Sequence, residues 1–345
     1  MVRAITARIT QPDWWTQIQR TNQWFQRQVC RELKQRLPHH STPPTVFTYS
    51  YAAEQIFEVA KSFGCRTILG QIDPGPEEVR LVQAIESRHN CHDTPVPPER
   101  YWKDWRRECT LADAILVNSE WSKQALEEES IDEAKVHVIP LAYEESHGGH
   151  TITRNCPETF DQARPLRVLY LGQAIVRKGI LELAAAIEQL KGQPVEWTIV
   201  GPVSATCKAQ LDSLPNTNVT GAIPRHSVHN HYRNADLFIL PTHSDGFAIT
   251  QLEAMEYGLP VVASKRCGDV VQHGRNGLRL DSVTAECIVE NVGMLLDHPD
   301  QLQKLTAGVA DTKRFSLKSL ADGLLTLESS LRRSNQPLEI GMEDP

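Results

Sequence analysis

The chain is 345 residues long, 40% hydrophobic and 23% charged, with 36 basic and 43 acidic side chains for a net charge of −7. That length and composition suit two ordinary globular domains, and the acidic balance argues against general nucleic-acid binding. The eight cysteines include no C-x-x-C pair, so zinc-site and thioredoxin-type readings lack support. The N-terminus has no apolar signal core, and the longest apolar run, about six residues around 114–117, is far short of a bilayer span. A reduced, cytoplasmic protein is expected, each cysteine a small buried hydrophobe.

Charge and tryptophan are unevenly placed. Residues 1–40 hold Arg3, Arg8, Arg20, Arg27, Arg31, Lys34 and Arg36 against Asp13 and Glu32, and six of the seven tryptophans lie within the first 121 residues. Residues 13–37 are predicted as one long helix, because Trp14, Trp15, Ile18, Phe25, Val29 and Leu33 recur at helical spacing with arginines between them. Two readings of it stand open. It packs on a sheet with an arginine-rich outer face, or it lies on an anionic membrane at the inner face. Exposed apolar surface there would suit a partner chain or a second copy.

A strand at 46–49, a helix at 52–62 and a strand at 67–69 follow, then the turn Asp73-Pro74-Gly75-Pro76. Helices are predicted near 76–90 and 98–112, a buried strand at 114–118, a helix capped by Ser119, and a strand at 136–139. Residues 144–164 are poor in apolar side chains and contain a Gly-Gly pair, so a linker is placed at 149–164. Beyond it, strands at 167–171, 197–200, 218–220, 237–240, 260–263 and 277–280 alternate with helices, the pattern of a doubly wound parallel α/β sheet. A last amphipathic helix covers 316–333.

The chemistry concentrates in LFILPTHSDGFAITQLEAMEYGLPVVAS, residues 237–264. Ligands of open α/β sheets bind at the carboxyl ends of strands. Gly246 lets backbone approach a ligand closely, and the helix start at about 249 points free N–H groups at it. That is a phosphate seat. Glu253, eight residues after Asp245, is expected to line the same cleft and to hold a ribose through its hydroxyls. A second element, Leu171-Gly172-Gln173 to Arg177-Lys178-Gly179, puts paired cations at the opening of the next helix. Cations oppose the dipole there, so an anion is expected between the two loops. His226, His229, His231 and His243 fit no zinc spacing and are read as surface or cleft histidines. No G-x-G-x-x-G follows a strand, which disfavours a nicotinamide dehydrogenase.

The segments LYLGQAIVRKG, TIVGP, VTGAIPRHSVHNHYRNADLFILP, DGFAITQLEAM, GLPVVAS and CGDVVQHGRNGLRL resemble glycosyltransferase family 4 in order and spacing, and ECTLADAILVNSEWSKQAL resembles the end of that family's first domain. The likeness covers about 45–333. It implies the GT-B fold, two Rossmann-like domains facing a cleft: an acceptor-side domain at 1–148, a donor domain at 165–315, and a helix at 316–335 packing back toward the first. It implies transfer from a UDP-, GDP- or ADP-sugar to an unidentified glycan, lipid or small-molecule acceptor, with retention of configuration, no metal and no cofactor. Carried over residue by residue, Lys178 supported by Arg177 would bind the diphosphate. Backbone at Gly246, Phe247 and Ala248 would cradle phosphate, and Glu253 would hold the ribose. Asp245 would touch the sugar, and backbone at Ile223 and Pro224 would meet the base, with Gly172 and Gln173 lining the cleft. Asp245 stands where the family usually has Glu, and Gln173 where it often has Arg. The strand and glycine-rich loop that open the family's first domain have no counterpart before residue 46, so that domain is expected to be reduced or incomplete at its start. Asp73 is the nearest substitute for the family's cleft histidine. The alternative function is a reduced nucleotide-sugar-binding module that is inactive or depends on a partner.

Overall fold

A computed structural model describes residues 13–144, 154–310 and 312–333. The Gly-Gly pair and residues 149–153 of the predicted linker lie outside the described residues. In chain order the elements are α1 (Trp14–Arg36), β1 (Thr45–Tyr49), α2 (Glu54–Ser62), β2 (Arg66–Gly70), α3 (Pro76–Arg88), α4 (Glu99–Leu111), β3 (Ala114–Val117), α5 (Glu120–Glu128) and β4 (Val136–Val138). Then come β5 (Leu166–Leu171), α6 (Ile180–Gln189), β6 (Val195–Val200), α7 (Ala205–Leu211), β7 (Thr217–Gly221), α8 (Val228–Asn234) and β8 (Leu237–Leu240). The chain continues through α9 (Thr250–Glu256), β9 (Val261–Ser264), β10 (Gly277–Leu280), α10 (Ala285–Asp297), α11 (Pro299–Ala307) and α12 (Leu317–Arg333). Among the described residues no helix is long and apolar enough to cross a membrane. All eight cysteines are free.

Two compact units emerge. The first comprises Met1–Gln71 and Val96–Leu116, the second Ile72–Pro95 and Val117–Pro345. In the first, β1, β2 and β3 run parallel in that order, with Phe47 opposite Ile68 and Ile68 opposite Ala114. Strand β1 is the edge. Parallel sheets are normally covered on both faces, yet Phe47 and Tyr49 of β1 stand exposed, and their rings meet edge to face at 5.3 Å. Helix α1 begins where Asp13 accepts a hydrogen bond from the Thr16 N–H at 3.1 Å. One face of α1 packs inward: Trp15 lies 5.1 Å from the Tyr101 ring, and Gln26 accepts from the Gln55 N–H at 2.8 Å. Trp14, the other tryptophan read as suiting a core, is exposed instead. Glu108 of α4 is buried and accepts the N–H groups of Tyr51 and Ala53, both at 2.7 Å, and of Glu54 at 3.3 Å. It thereby satisfies the open N–H groups at the start of α2 and holds Tyr51 at φ 73°.

The second unit contains a six-stranded parallel sheet of order β10-β9-β8-β5-β6-β7. Strands β8 and β9 are buried at every residue, as their uninterrupted apolar runs require. At the far end from the site, Asp236 accepts from both Arg164 and Arg167 and sits just before β8. Glycine at 179 is obligatory: its φ is 69°, and a Cβ there would lie 1.8 Å from the Pro241 carbonyl oxygen. The strands expected from the sequence all form, with ends shifted by at most two residues. One local expectation is corrected. The paired cations Arg177 and Lys178 do not open the α-helix. They belong to a 3-10 turn, Val176–Lys178, separated from α6 by the left-handed Gly179. The helix after the Gly246 loop starts at Thr250, with Ile249 as its cap.

Candidate functional site

The order of the second sheet reverses at the β5–β8 pair, where Val168 faces Leu237 and Leu169 faces Phe238. That reversal opens a crevice at the carboxyl ends of these two strands, the place where ligands of such sheets bind. The loops leaving the pair are 172–179 and 241–249, the two segments singled out from sequence.

Lys178 and Asp245 form an ion pair across these loops, both side chains largely buried. Arg177 is held differently. Its guanidinium donates to the Ser244 carbonyl at 2.9 Å and lies 3.5 Å from the Glu78 carboxylate. Its own carbonyl accepts the His243 N–H at 2.9 Å. Arg177 therefore laces the two loops together, and Lys178 is the cation whose carboxylate partner sits in the 241–249 loop. Gly246 is packed so closely that a Cβ would come 2.7 Å from the Ile72 carbonyl oxygen and 3.5 Å from the Asp73 Cα. Asp73 is thus beside this loop, but one of its carboxylate oxygens accepts the Gly75 N–H at 2.8 Å. That is the turn-forming role its place before proline suits. Phe247 is buried edge-on against Phe315 at 5.8 Å. The Ala248 N–H donates to the Cys267 carbonyl at 3.0 Å and the Asp245 N–H to the Arg266 carbonyl at 2.7 Å. This corrects one expectation: the Ala248 N–H, engaged within the protein, is not offered to a phosphate. The backbone positions left for that role are Gly246 and Phe247. Gly172 donates to the Val200 carbonyl, and the Gln173 carbonyl accepts the Tyr170 hydroxyl at 2.7 Å.

Glu253 faces a separate cavity of about 570 Å³, lined also by Leu171, Ile223, His226, His229, Tyr232 and Tyr257. The first turn of α9 supplies Glu253, the 3-10 turn Arg225–Ser227 supplies His226, and the start of α8 supplies His229. The Tyr232 hydroxyl donates to Glu253 at 2.8 Å, and Arg225 approaches its other oxygen at 3.8 Å. Burial and the adjacent carboxylate hold the Tyr232 phenol well above its ordinary range, so it stays a donor that fixes Glu253. Ile223 lines this cavity and Pro224 caps the turn beside it. Asp245 does not line the cavity. The expectation that Asp245 lines the same cleft as Glu253 is therefore not met at this cavity, because Asp245 sits in the loop before α9 and pairs with Lys178.

Sequence reasoning missed Glu78 and Ser244. Ser244 is fully buried; its hydroxyl donates to Glu78 at 2.6 Å and accepts from the Trp121 indole at 3.0 Å. Burial raises the Glu78 carboxyl above its ordinary range, opposed by Arg177 and by the Ser244 hydrogen bond. Beneath the loop His243 is buried, its Nε2 2.9 Å from Glu182. No spacing in the chain signals these partners, since Glu78 lies 99 residues before Arg177. Among the described residues no cluster of His, Cys, Asp and Glu suits a metal ion.

Comparison with known proteins shows what this chain is similar to. Residues 165–298 match the profile described as glycosyl transferases group 1. A D-inositol 3-phosphate glycosyltransferase of Segniliparus rotundus is 33% identical over 172 residues, which are 46% of this chain and 38% of that protein. The chain therefore spans about two fifths of that relative. Among solved structures, sucrose-phosphate synthase of Thermosynechococcus elongatus superposes with a TM-score of 0.68 at 17% identity, over 96% of this chain and 83% of that one. Anabaena HepE in complex with UDP gives 0.62 at 15% identity, over 88% and 82%. These likenesses are of fold, and the fold is the GT-B type that the sequence resemblance implied. Residues 165–298 are thus similar to the glycosyl transferases of group 1.

Proposed function

We propose that the protein transfers a glycosyl group from a nucleoside diphosphate sugar to an acceptor hydroxyl. The observation that carries this reading is the cavity at the end of β5 that sets Glu253 beside Ile223, with Lys178 and Asp245 on the adjoining loops. In this reading the base rests on the backbone at Ile223 and Pro224, and Glu253, fixed by Tyr232, accepts the two ribose hydroxyls. Lys178 exchanges the Asp245 carboxylate for a diphosphate oxygen, and Asp245 turns to the sugar hydroxyls. Gly246 and Phe247 offer backbone N–H groups to the leaving phosphate. Arg177, steadied by Glu78, keeps the two loops in register. Stabilising the departing diphosphate is the main catalytic contribution such a site makes. Lys178 supplies positive charge for it, so no metal is required. Retention of configuration belongs to the same reading, carried over from family 4.

The test is thermal stabilisation of the chain by UDP, GDP and ADP and their sugar conjugates, with and without EDTA, and with Glu253→Ala as control. UDP is the first nucleotide to try, since the HepE relative was solved with it. The expected result is selective stabilisation, insensitive to EDTA and lost in Glu253→Ala. No stabilisation by any nucleotide would sink the reading. Binding with neither transfer nor donor hydrolysis would identify a binding module. Among the described residues β1 pairs only with β2, which favours that second reading, since an open sheet edge is a surface that a partner completes.

A further inference from the structure

The outward face of α1 presents a combination that the fold does not explain. Successive residues of a helix turn by about 100°. On that spacing Trp15, Ile18, Asn22, Gln26, Val29 and Leu33 share the inward arc, and all are buried or half-buried. Trp24, exposed to 58%, lies on the opposite arc, whereas Trp14 and Phe25, exposed to 62% and 44%, flank the inward arc beside Ile18. Arg20, Arg27, Arg31 and Lys34 fall in the adjoining arc of roughly 60°, and each is exposed. Arg31 donates only to the neighbouring Gln28 amide. The intervening positions are neutral: Gln17, Thr21, Gln28 and Gln35. The acidic side chains of the helix region are Asp13, which caps the helix, and Glu32, paired with Arg36 at 3.1 Å.

We infer that this face of α1 docks on an anionic lipid surface. Three features choose that occupant. An exposed Trp24 beside cations that have no acidic partner among the described residues is what an interfacial helix presents, the ring entering the headgroup boundary while the guanidinium groups meet anionic headgroups. Charge complementarity also sets the orientation: residues 13–40 carry +3 and residues 41–345 carry −12, so a negative surface attracts this helix and repels the rest. The same net acidity disfavours nucleic acid, which would contact phosphates over a broad front. The helix is anchored from behind by the Asn22 amide on the Tyr51 carbonyl at 2.8 Å and by Gln26, so the outward face is presented ready-made. The inference does not depend on which nucleotide the second unit binds.

The test is cosedimentation of the full chain with vesicles of phosphatidylcholine alone and of phosphatidylcholine containing phosphatidylglycerol, with tryptophan emission followed in parallel. The expected result is binding to the phosphatidylglycerol vesicles only, a blue shift of emission, and release by salt. Arg27→Ala combined with Arg31→Ala should bind roughly 25-fold more weakly, about fivefold per cation. Trp24→Ala should bind roughly tenfold more weakly and lose part of the blue shift. All three positions are exposed, and an unchanged circular dichroism spectrum verifies the fold; the salt release on the unaltered chain needs no variant. No binding to the anionic vesicles at low salt would overturn the proposal, as would binding undiminished in both variants. Equal binding to polyglutamate, dependent on Arg27 and Arg31 and indifferent to Trp24, would assign the face to an acidic protein and overturn it too.

Discussion

Gly179 shows how one absent side chain sets the site. Its left-handed backbone turns the chain from the Arg177–Lys178 turn into α6, and the Pro241 carbonyl occupies the space a Cβ would need. Gly179→Ala therefore combines positive-φ strain with a collision that only backbone movement relieves. We expect it to lower stability by about 2–4 kcal/mol in urea unfolding; a loss under 1 kcal/mol would mean that the two loops shift apart freely. The side chains beside it act by charge. Glu253→Ala should weaken nucleotide binding by about 1.5–3 kcal/mol, the range for hydrogen bonds to a charged group, as read by calorimetry. Lys178→Ala should act on the phosphates: the loss for a nucleoside diphosphate should exceed the loss for the nucleoside. Equal losses would remove Lys178 from the phosphate role and leave it as the partner of Asp245 alone.

At the scale of elements, the start of α2 depends on a carboxylate from α4. Burial pushes Glu108 up to about 7, against the pull of three backbone N–H groups that favour its charged form. The folded value lies above the ordinary 4.5, so folding favours the protonated acid. That contribution is complete below pH 4.5 and is lost as pH rises through 7. The change amounts to about 3 kcal/mol over that window. The stability of the wild type relative to Glu108→Gln should therefore fall by about that amount between pH 4.5 and 7.5 in parallel urea titrations. A difference flat with pH would show that Glu108 titrates normally. Glu108 was invisible from sequence, as were Glu78 and Ser244, because each meets partners that the chain brings from tens of residues away. The strands of the second unit were legible for the opposite reason. Residues 237–240 and 261–264 are short apolar runs bounded by proline, glycine or polar loops, and a buried parallel strand needs nothing more. Arg177 lies between these cases. Its position beside the crevice could be read from Gly172 and Gly179, whereas its engagement by Glu78 and the Ser244 carbonyl could not.

For the whole molecule, the division of labour between units makes a direct prediction. Every residue proposed to hold the donor, Lys178, Ile223, Pro224, Asp245, Gly246, Phe247 and Glu253, belongs to the second compact unit, whereas Glu108 and the exposed face of α1 belong to the first. A ligand that binds one folded unit stabilises it by mass action, about 2.7 kcal/mol at a hundredfold excess over its dissociation constant. Regions that open independently do not share that gain. Amide exchange with saturating UDP should therefore slow across β5, β6, β8 and β9, and remain unchanged across β1, β2 and α2. The measurement reads both the site and its reach. Slowing confined to the second unit would place the nucleotide where Glu253 and Lys178 lie and show that the first unit opens by itself. Equal slowing in both would show that they unfold as one cooperative block, and the pH effect of Glu108 would then have to appear in the protection of β8 as well as of α2.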